Sequence, residues 1–299
     1  MLSLSFAQQA IASILEYRQK YENFLNHLRV LQYSEGTIHS YGSKLSCICM
    51  HLGKCPEDFS QQEVDDYFNA LLTRKPQPGI SYFKHTVASL SAYLRYVGKA
   101  SFSFQLPPIR KSSKLPVVFS QEEVCNLLRC CADLKYKSAL ALAYSAGLRM
   151  SEVLHLHISD IDMDRMSIHI RQSKNRKDRY VPLSYALAVV LRAYLKEFLP
   201  DVYLFNGSQS GSPLQQKELS FAFKQACRAA KIKKKVVFHT LRHSYATHLL
   251  EMGENIIRIS KLLGHSNVRT TLTYLHLVPD KQFEAFSPLD RLFPLDKKQ

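Results

Sequence analysis

Apolar side chains recur three and four residues apart through the first part of the chain: Ile11, Ile14, Leu15, Tyr21, Phe24, Leu25 and Leu28, then Ile38, Tyr41, Leu45, Ile48 and Leu52. Such spacing lays an apolar stripe along one side of a helix and predicts two amphipathic helices. Ser60 followed by Glu63 forms a capping box before Val64, Tyr67, Phe68, Leu71 and Leu72, and a fourth periodic stretch covers residues 80–97. Residues 1–100 are therefore expected to form an all-helical domain. From 101 to 118 the period stops, and Pro107, Pro108 and Pro116 alternate with Arg110, Lys111 and Lys114. That composition predicts a basic interdomain linker, suited either to lie along a phosphate backbone or to serve as a solvated tether.

A second capping box, Ser120 with Glu123, opens residues 119–299, and an Ala-rich helix is expected to end near Ala146 and Gly147. The period then changes. Residues 166–173 alternate, a polar basic turn follows, and residues 179–184 alternate again, which is the pattern of a β-hairpin. Helical spacing resumes near Tyr185, is interrupted by a short strand-like run at 201–205, and continues to about Tyr274. The expected fold is mostly α with a small antiparallel β-sheet (α+β), the sheet lying in the second domain.

With 299 residues, 46% of them hydrophobic, the chain can bury two cores rather than one. Forty Lys and Arg against 25 Asp and Glu leave a net charge of +15, an excess that concentrates a polyanion and makes nucleic acid the leading partner. No run approaches the roughly 20 uncharged apolar residues of a membrane span, and the opening residues lack the basic head and cleavage site of a secretory signal. A cytoplasmic location without membrane contact is expected. The seven cysteines should then stay reduced. Cys47, His51 and Cys55 would share a helix face, but Cys49 lies on another and no second ligand pair is near. They read as small buried thiols, so no metal is expected.

The segment from His239 to Tyr274 is where chemistry concentrates. His239 and Arg242 stand three apart at the start of a helix and so share a face. A later helix runs from about Asn255 to Leu262, Leu263 and Gly264; the glycine suits a left-handed cap, and His265 follows. Tyr274 comes nine residues on in a polar stretch, a poor place for a tyrosine needed only for packing. Upstream, Arg149 follows Gly147 and Leu148, and Lys174 sits at the hairpin turn. Two arginines, a lysine, two histidines and a tyrosine suit in-line attack on a phosphodiester, where guanidinium forks match phosphate oxygens and fixed cations stabilise the pentavalent transition state. His157, His243 and His248 read as structural residues. Arg228, Lys231, Lys233, Lys234 and Lys235 form a charge run that fits a solvated helix end as well as a DNA-backbone contact.

Taken in order, Gly147-Leu148-Arg149, the basic hairpin around Lys174, His239-x-x-Arg242, Leu262-Leu263-Gly264-His265 and Tyr274 resemble the signature of the tyrosine recombinases, the phage integrase family. The helical first domain resembles the family's core-binding domain, so the likeness covers nearly the whole chain. It implies that Tyr274 is the nucleophile and forms a 3′-phosphotyrosyl link, and that Arg149 and Arg242 clamp the scissile phosphate. By the same resemblance Lys174 protonates the departing 5′-oxygen, His239 exchanges the proton of Tyr274, His265 donates to the phosphate, and Glu152 orients Arg149. Ser173 and Asn175 replace the family's usual glycines beside the lysine, which leaves Lys177 as a second candidate for the acid. Arg110, Lys111 and Lys114 of the linker and Arg176, Lys177 and Arg179 of the hairpin are expected to contact DNA.

The resemblance further implies double-stranded DNA with specific sites as partner, two domains clamping it, and a homo-tetramer on two sites with the carboxy-terminal tail exchanged between subunits. No cofactor is expected, because the tyrosyl link stores the phosphodiester energy and no Walker-type loop is present. The tail, VPDKQFEAFSPLDRLF, resembles that of mobile-element integrases more than that of Xer proteins, which implies integration or excision of a mobile element; a Xer-like chromosome-dimer resolvase, a type IB topoisomerase and a non-catalytic DNA-binding protein of the same fold are the alternatives.

Overall fold

The structure is a computed structural model that describes residues 5–99, 115–171, 178–209 and 211–277. The chain divides into two units, Met1–Ser113 and Lys114–Gln299, so the boundary falls within the stretch read as a linker. Arg110, Lys111 and Lys114 lie outside the described residues, as do Lys174, Arg176 and Lys177, read from the sequence as a hairpin turn, and the tail from residue 278.

The first unit consists of α1 (Phe6–Ser13), α2 (Tyr17–Val30), α3 (Glu35–Leu52), α4 (Gln61–Thr73) and α5 (Ile80–Tyr96). The first apolar run, read as one helix, is broken between α1 and α2, where Glu16 takes a left-handed φ of 60°. The period survives the break because both pieces face one core: Ala10 and Ile14 are buried with Tyr17, Phe24 and Leu28. The Tyr17 hydroxyl lies 2.9 Å from Ser46 Oγ on α3, which fixes the turn. At α4 the capping box forms, with Ser60 N–H donating to Glu63 Oε2 at 2.8 Å and Glu63 N–H to Ser60 Oγ at 3.3 Å. Cys49 and Cys55 are buried. Among the described residues no three His, Cys, Asp or Glu side chains are placed to hold a metal ion.

In the second unit the expected Ala-rich helix is likewise two, α6 (Gln121–Cys130) and α7 (Leu134–Ser145). The first ends at Cys130, and Asp133 starts the second by accepting from the N–H groups of Lys135 and Tyr136. After α8 (Met150–Leu154) come β1 (Ile161–Asp162), β2 (Ser167–Ile170) and β3 (Arg179–Pro182), an antiparallel sheet in that order with Ile168 opposite Val181. Ile168, Ile170 and Val181 face the core, as period-two alternation requires. The run at 201–205, expected as a strand, makes a single bridge from Tyr203 to His157 instead of a ladder, and Asn206 just after it bridges to Pro213. Helices α9 (Tyr185–Phe198), α10 (Gln216–Ala229), α11 (His239–Glu251), α12 (Ile256–Leu263) and α13 (Arg269–Leu272) complete the unit. The fold is thus mostly α with a small antiparallel sheet.

Helix α11 is the axis on which the site is built: nine of its 13 residues are buried, so it has no polar face. Several of its buried polar groups are used internally. Ser244 Oγ accepts the Phe119 N–H at 2.8 Å, and His248 Nε2 donates to the Phe119 carbonyl at 3.0 Å. His248 Nδ1 then accepts from the Tyr144 hydroxyl at 2.8 Å. These bonds tie the start of the unit to α11 and leave His248 a structural residue. Past the end of α10, Lys234 of the basic run turns onto Glu123 of α6, 2.6 Å away.

Candidate active site

Two left-handed glycines shape the site. At Gly147, with φ +62°, a Cβ would stand 2.4 Å from Tyr245 Cδ1, so no other residue fits without moving the ring. The turn presents the Gly147 carbonyl to Arg242 Nη1 at 2.7 Å. At Gly264, φ +63°, α12 ends in a cap in which the His265 N–H donates to the Ser260 carbonyl at 3.0 Å.

The last turn of a helix leaves carbonyls without intrahelical partners at the negative end of its dipole. In α12 these are met by three guanidinium groups. Leu262 O accepts from Arg179 Nε at 2.8 Å, Leu263 O from Arg242 Nη2 at 2.5 Å, and Gly264 O from Arg149 Nη2 at 3.4 Å. The Leu262-Leu263-Gly264 motif is therefore a rack for arginines. Glu152 holds the same three from the other side. It accepts Arg149 Nη1 at 2.7 Å and the Arg149 N–H at 2.9 Å, pairs bidentately with Arg179 at 2.9 and 2.8 Å, and lies 3.8 Å from Arg242 Nη1. Burial opposes ionisation of this carboxyl, but the hydrogen bonds and charge of Arg179, then Arg149, hold its pKa down to about 2.

One carboxylate among three guanidiniums leaves a net positive site. Arg242 is 1% exposed; burial and the charge of Arg149 lower its pKa to about 9, which still leaves it charged at neutrality. Arg149 keeps 21% of its side chain exposed and so presents the accessible edge of the cluster. His239 and His265 are pushed down to about 4 by burial, and then by His243 and Arg242 for His239 and by Arg242 and Arg149 for His265. Both are therefore neutral at pH 7, each with one ring N–H to offer and no added charge. His265 Nδ1 lies 2.8 Å from Thr271 Oγ1, which sets its ring.

Tyr274 differs from expectation. Despite its polar sequence neighbours it is 3% exposed, packed with Tyr245, Ala246, Leu250, Ile259 and Leu263. Its hydroxyl is bonded to His243 Nδ1 at 2.9 Å, not to His239, which instead meets the His243 ring edge-on with centroids 4.6 Å apart. The structure thus brings His243, read from the sequence as structural, onto the Tyr274 hydroxyl, a contact that the sequence reading missed. The signal was its position four after His239 and beside Arg242. Arg179 also departs from expectation: its guanidinium is committed to Glu152 and Leu262, with the side chain 9% exposed, rather than offered to DNA. Arg149, Glu152, His239, Arg242, His265 and Tyr274 come together; Lys174 lies outside the described residues.

Residues 118–281, more than half of the chain, match the model of the phage integrase family. A tyrosine recombinase of Thermosipho africanus is 31% identical over 287 residues, covering 91% of this chain and 98% of that protein. The tyrosine recombinase XerA of Pyrococcus horikoshii is 30% identical over 267 residues, 88% of this chain and 91% of its own. Among solved structures, a lambda integrase dimer bound to a core site superposes with a TM-score of 0.69 at 19% identity, over 90% of this chain and 98% of that one, a likeness of fold. With that agreement over most of its length, the chain belongs to the phage integrase family, the tyrosine recombinases, enzymes that break and rejoin DNA strands.

Proposed function

We propose that this chain recombines DNA at specific sites by attack of the Tyr274 hydroxyl on a scissile phosphate held by Arg149 and Arg242. The observation that carries this reading is a buried tyrosine hydroxyl on the same helix-built site as a Glu152-centred arginine cluster, whose fields act on Tyr274 from Arg242 and then Arg149. Such a cluster is preorganised for the equatorial oxygens of a pentavalent phosphorus. The Oη–P bond forms as the P–O5′ bond breaks, leaving a 3′-phosphotyrosyl link and a 5′-hydroxyl. Neutral His239 and His265 donate to the phosphate, and Lys174, or Lys177 beside it, supplies the proton to the leaving oxygen. The partner is double-stranded DNA, engaged by a homo-tetramer on two sites with the tail passing between subunits.

Integration or excision of a mobile element is the role we assign. The near full-length match to a XerA recombinase favours one second reading, resolution of chromosome dimers. The chemistry is tested by incubation with a nicked duplex carrying the repeats that flank the coding sequence, followed by denaturing gel electrophoresis. Wild type is expected to form a covalent adduct and Tyr274→Phe none, with DNA affinity kept because the phosphate clamp is untouched. A wild type that binds but never forms an adduct would make the chain a DNA-binding protein without strand cleavage.

A further inference from the structure

The proton that leaves Tyr274 needs an acceptor within hydrogen-bond reach. His243 Nδ1 is 2.9 Å from the Tyr274 hydroxyl, whereas among the described residues no hydrogen bond joins His239 to that hydroxyl. We propose that His243 is the catalytic base for Tyr274, taking the hydroxyl proton on Nδ1 as the Oη–P bond forms and returning it when the strand is rejoined. The assignment rests on Tyr274 being the nucleophile.

Placement supports it. His243 follows Arg242 directly on α11, so the base and the phosphate clamp are carried by one largely buried helix. In the bond as drawn, Tyr274 donates and Nδ1 accepts, which puts the ring proton on Nε2. The groups facing His243 are His239 and Arg242 on its own helix and Tyr274 from beyond α13. The 3₁₀ turn Leu275–Leu277, which packs near α11, adds His276, an exposed residue. Burial, then the charge of Arg242, lowers the pKa of His243, which keeps its lone pair free at neutrality. Burial raises that of Tyr274, with Arg242 and Arg149 opposing, so the hydroxyl keeps its proton until a base removes it.

Charge and protons balance through the step. Tyr274 loses H⁺ to His243, the tyrosyl oxygen bonds to phosphorus, the 5′-oxygen leaves with the bonding pair and takes H⁺ from the hairpin lysine. The positive charge gained by the imidazole equals the one lost by the lysine, so the site gains none overall. Reversal restores both.

Single-turnover adduct formation on the nicked duplex, followed against pH, decides the matter. Wild type should slow as pH falls through the lowered pKa of His243, because the protonated ring accepts nothing. His243→Ala should be slower by about a hundredfold and lose that acid limb, with DNA affinity unchanged. His243→Asn, which puts an oxygen near the Nδ1 position but takes no proton, should be as slow, and it carries the test if the alanine variant fails to fold. His239→Ala should be slowed yet retain the limb. Near wild-type cleavage by His243→Asn would reduce the histidine to a positioning contact and overturn the assignment, as would loss of the acid limb in His239→Ala alone. Absence of adduct with wild type, or an adduct surviving Tyr274→Phe, removes the nucleophile first and this base with it; the other outcomes leave the nucleophile standing.

Discussion

Glu152 carries an ion network in which no partner is spare: Arg149 and Arg179 are hydrogen-bonded to it, and Arg242 lies 3.8 Å away. Removing its charge strands buried guanidiniums, and breaking one side of such a network costs about 3–5 kcal/mol. We expect Glu152→Gln to lose stability of that order at neutral pH. The pH dependence has a definite sign. The folded pKa, about 2, lies below the ordinary glutamate value of 4.5, so the carboxylate stabilises fully above the unfolded value and its contribution fades as pH falls from 4.5 toward 2. Urea denaturation of wild type and Glu152→Gln across that window should show the gap closing; a gap constant with pH would mean that the network is held by packing rather than charge. The general acid is a second residue-scale question, because Lys174 and Lys177 stand only three apart in the sequence. With sulfur in place of the bridging 5′-oxygen the leaving group needs no proton. Lys174→Ala should then regain near wild-type cleavage while Arg149→Ala stays slow, and rescue of Lys177→Ala in its place would assign the acid to Lys177.

The ends of elements, more than their middles, assemble the site. The C-terminal carbonyls of α12 accept from three arginines, the turn after α7 presents Gly147 O to Arg242, and the N-terminal turn of α11 carries His239, Arg242 and His243. Substituting Gly147 tests this dependence. Gly147→Ala places a methyl 2.4 Å from the Tyr245 ring at a φ of +62°, and the left-handed backbone alone costs about 1–2 kcal/mol. A fall in melting temperature is expected, with cleavage reduced more than DNA binding because the Arg242 anchor moves; equal loss of both would place the damage outside the site. Much of this scale was legible. The capping boxes at Ser60 and Ser120, the Gly264 cap and the hairpin about Ile168 and Val181 are local, so sequence spacing reports them. The breaks at Glu16 and Asp133 were missed because an apolar period continues through a turn when both helices face one core.

At the scale of the molecule, the +15 charge predicts a steep fall of log affinity with log salt, since each neutralised phosphate releases counterions. A nearly flat slope in a binding titration would assign the basic surface another task. Deleting residues from 280 onward should spare binding to a single site and impair synapsis and recombination; unchanged recombination with normal assembly by light scattering would remove the tail from the assembly. By itself the sequence determined the helical first domain, the mixed second one, and the order of Arg149, His239, Arg242, His265 and Tyr274, because capping, period and motif spacing are properties of neighbours along the chain. Tertiary structure alone decided that Arg179 turns inward to Glu152, 27 residues away, and that the Tyr274 hydroxyl rests on His243, 31 residues away. A charge on a strand or a tyrosine in a polar stretch looks outward from its neighbours, and only the close packing of distant segments says which buried partner it meets.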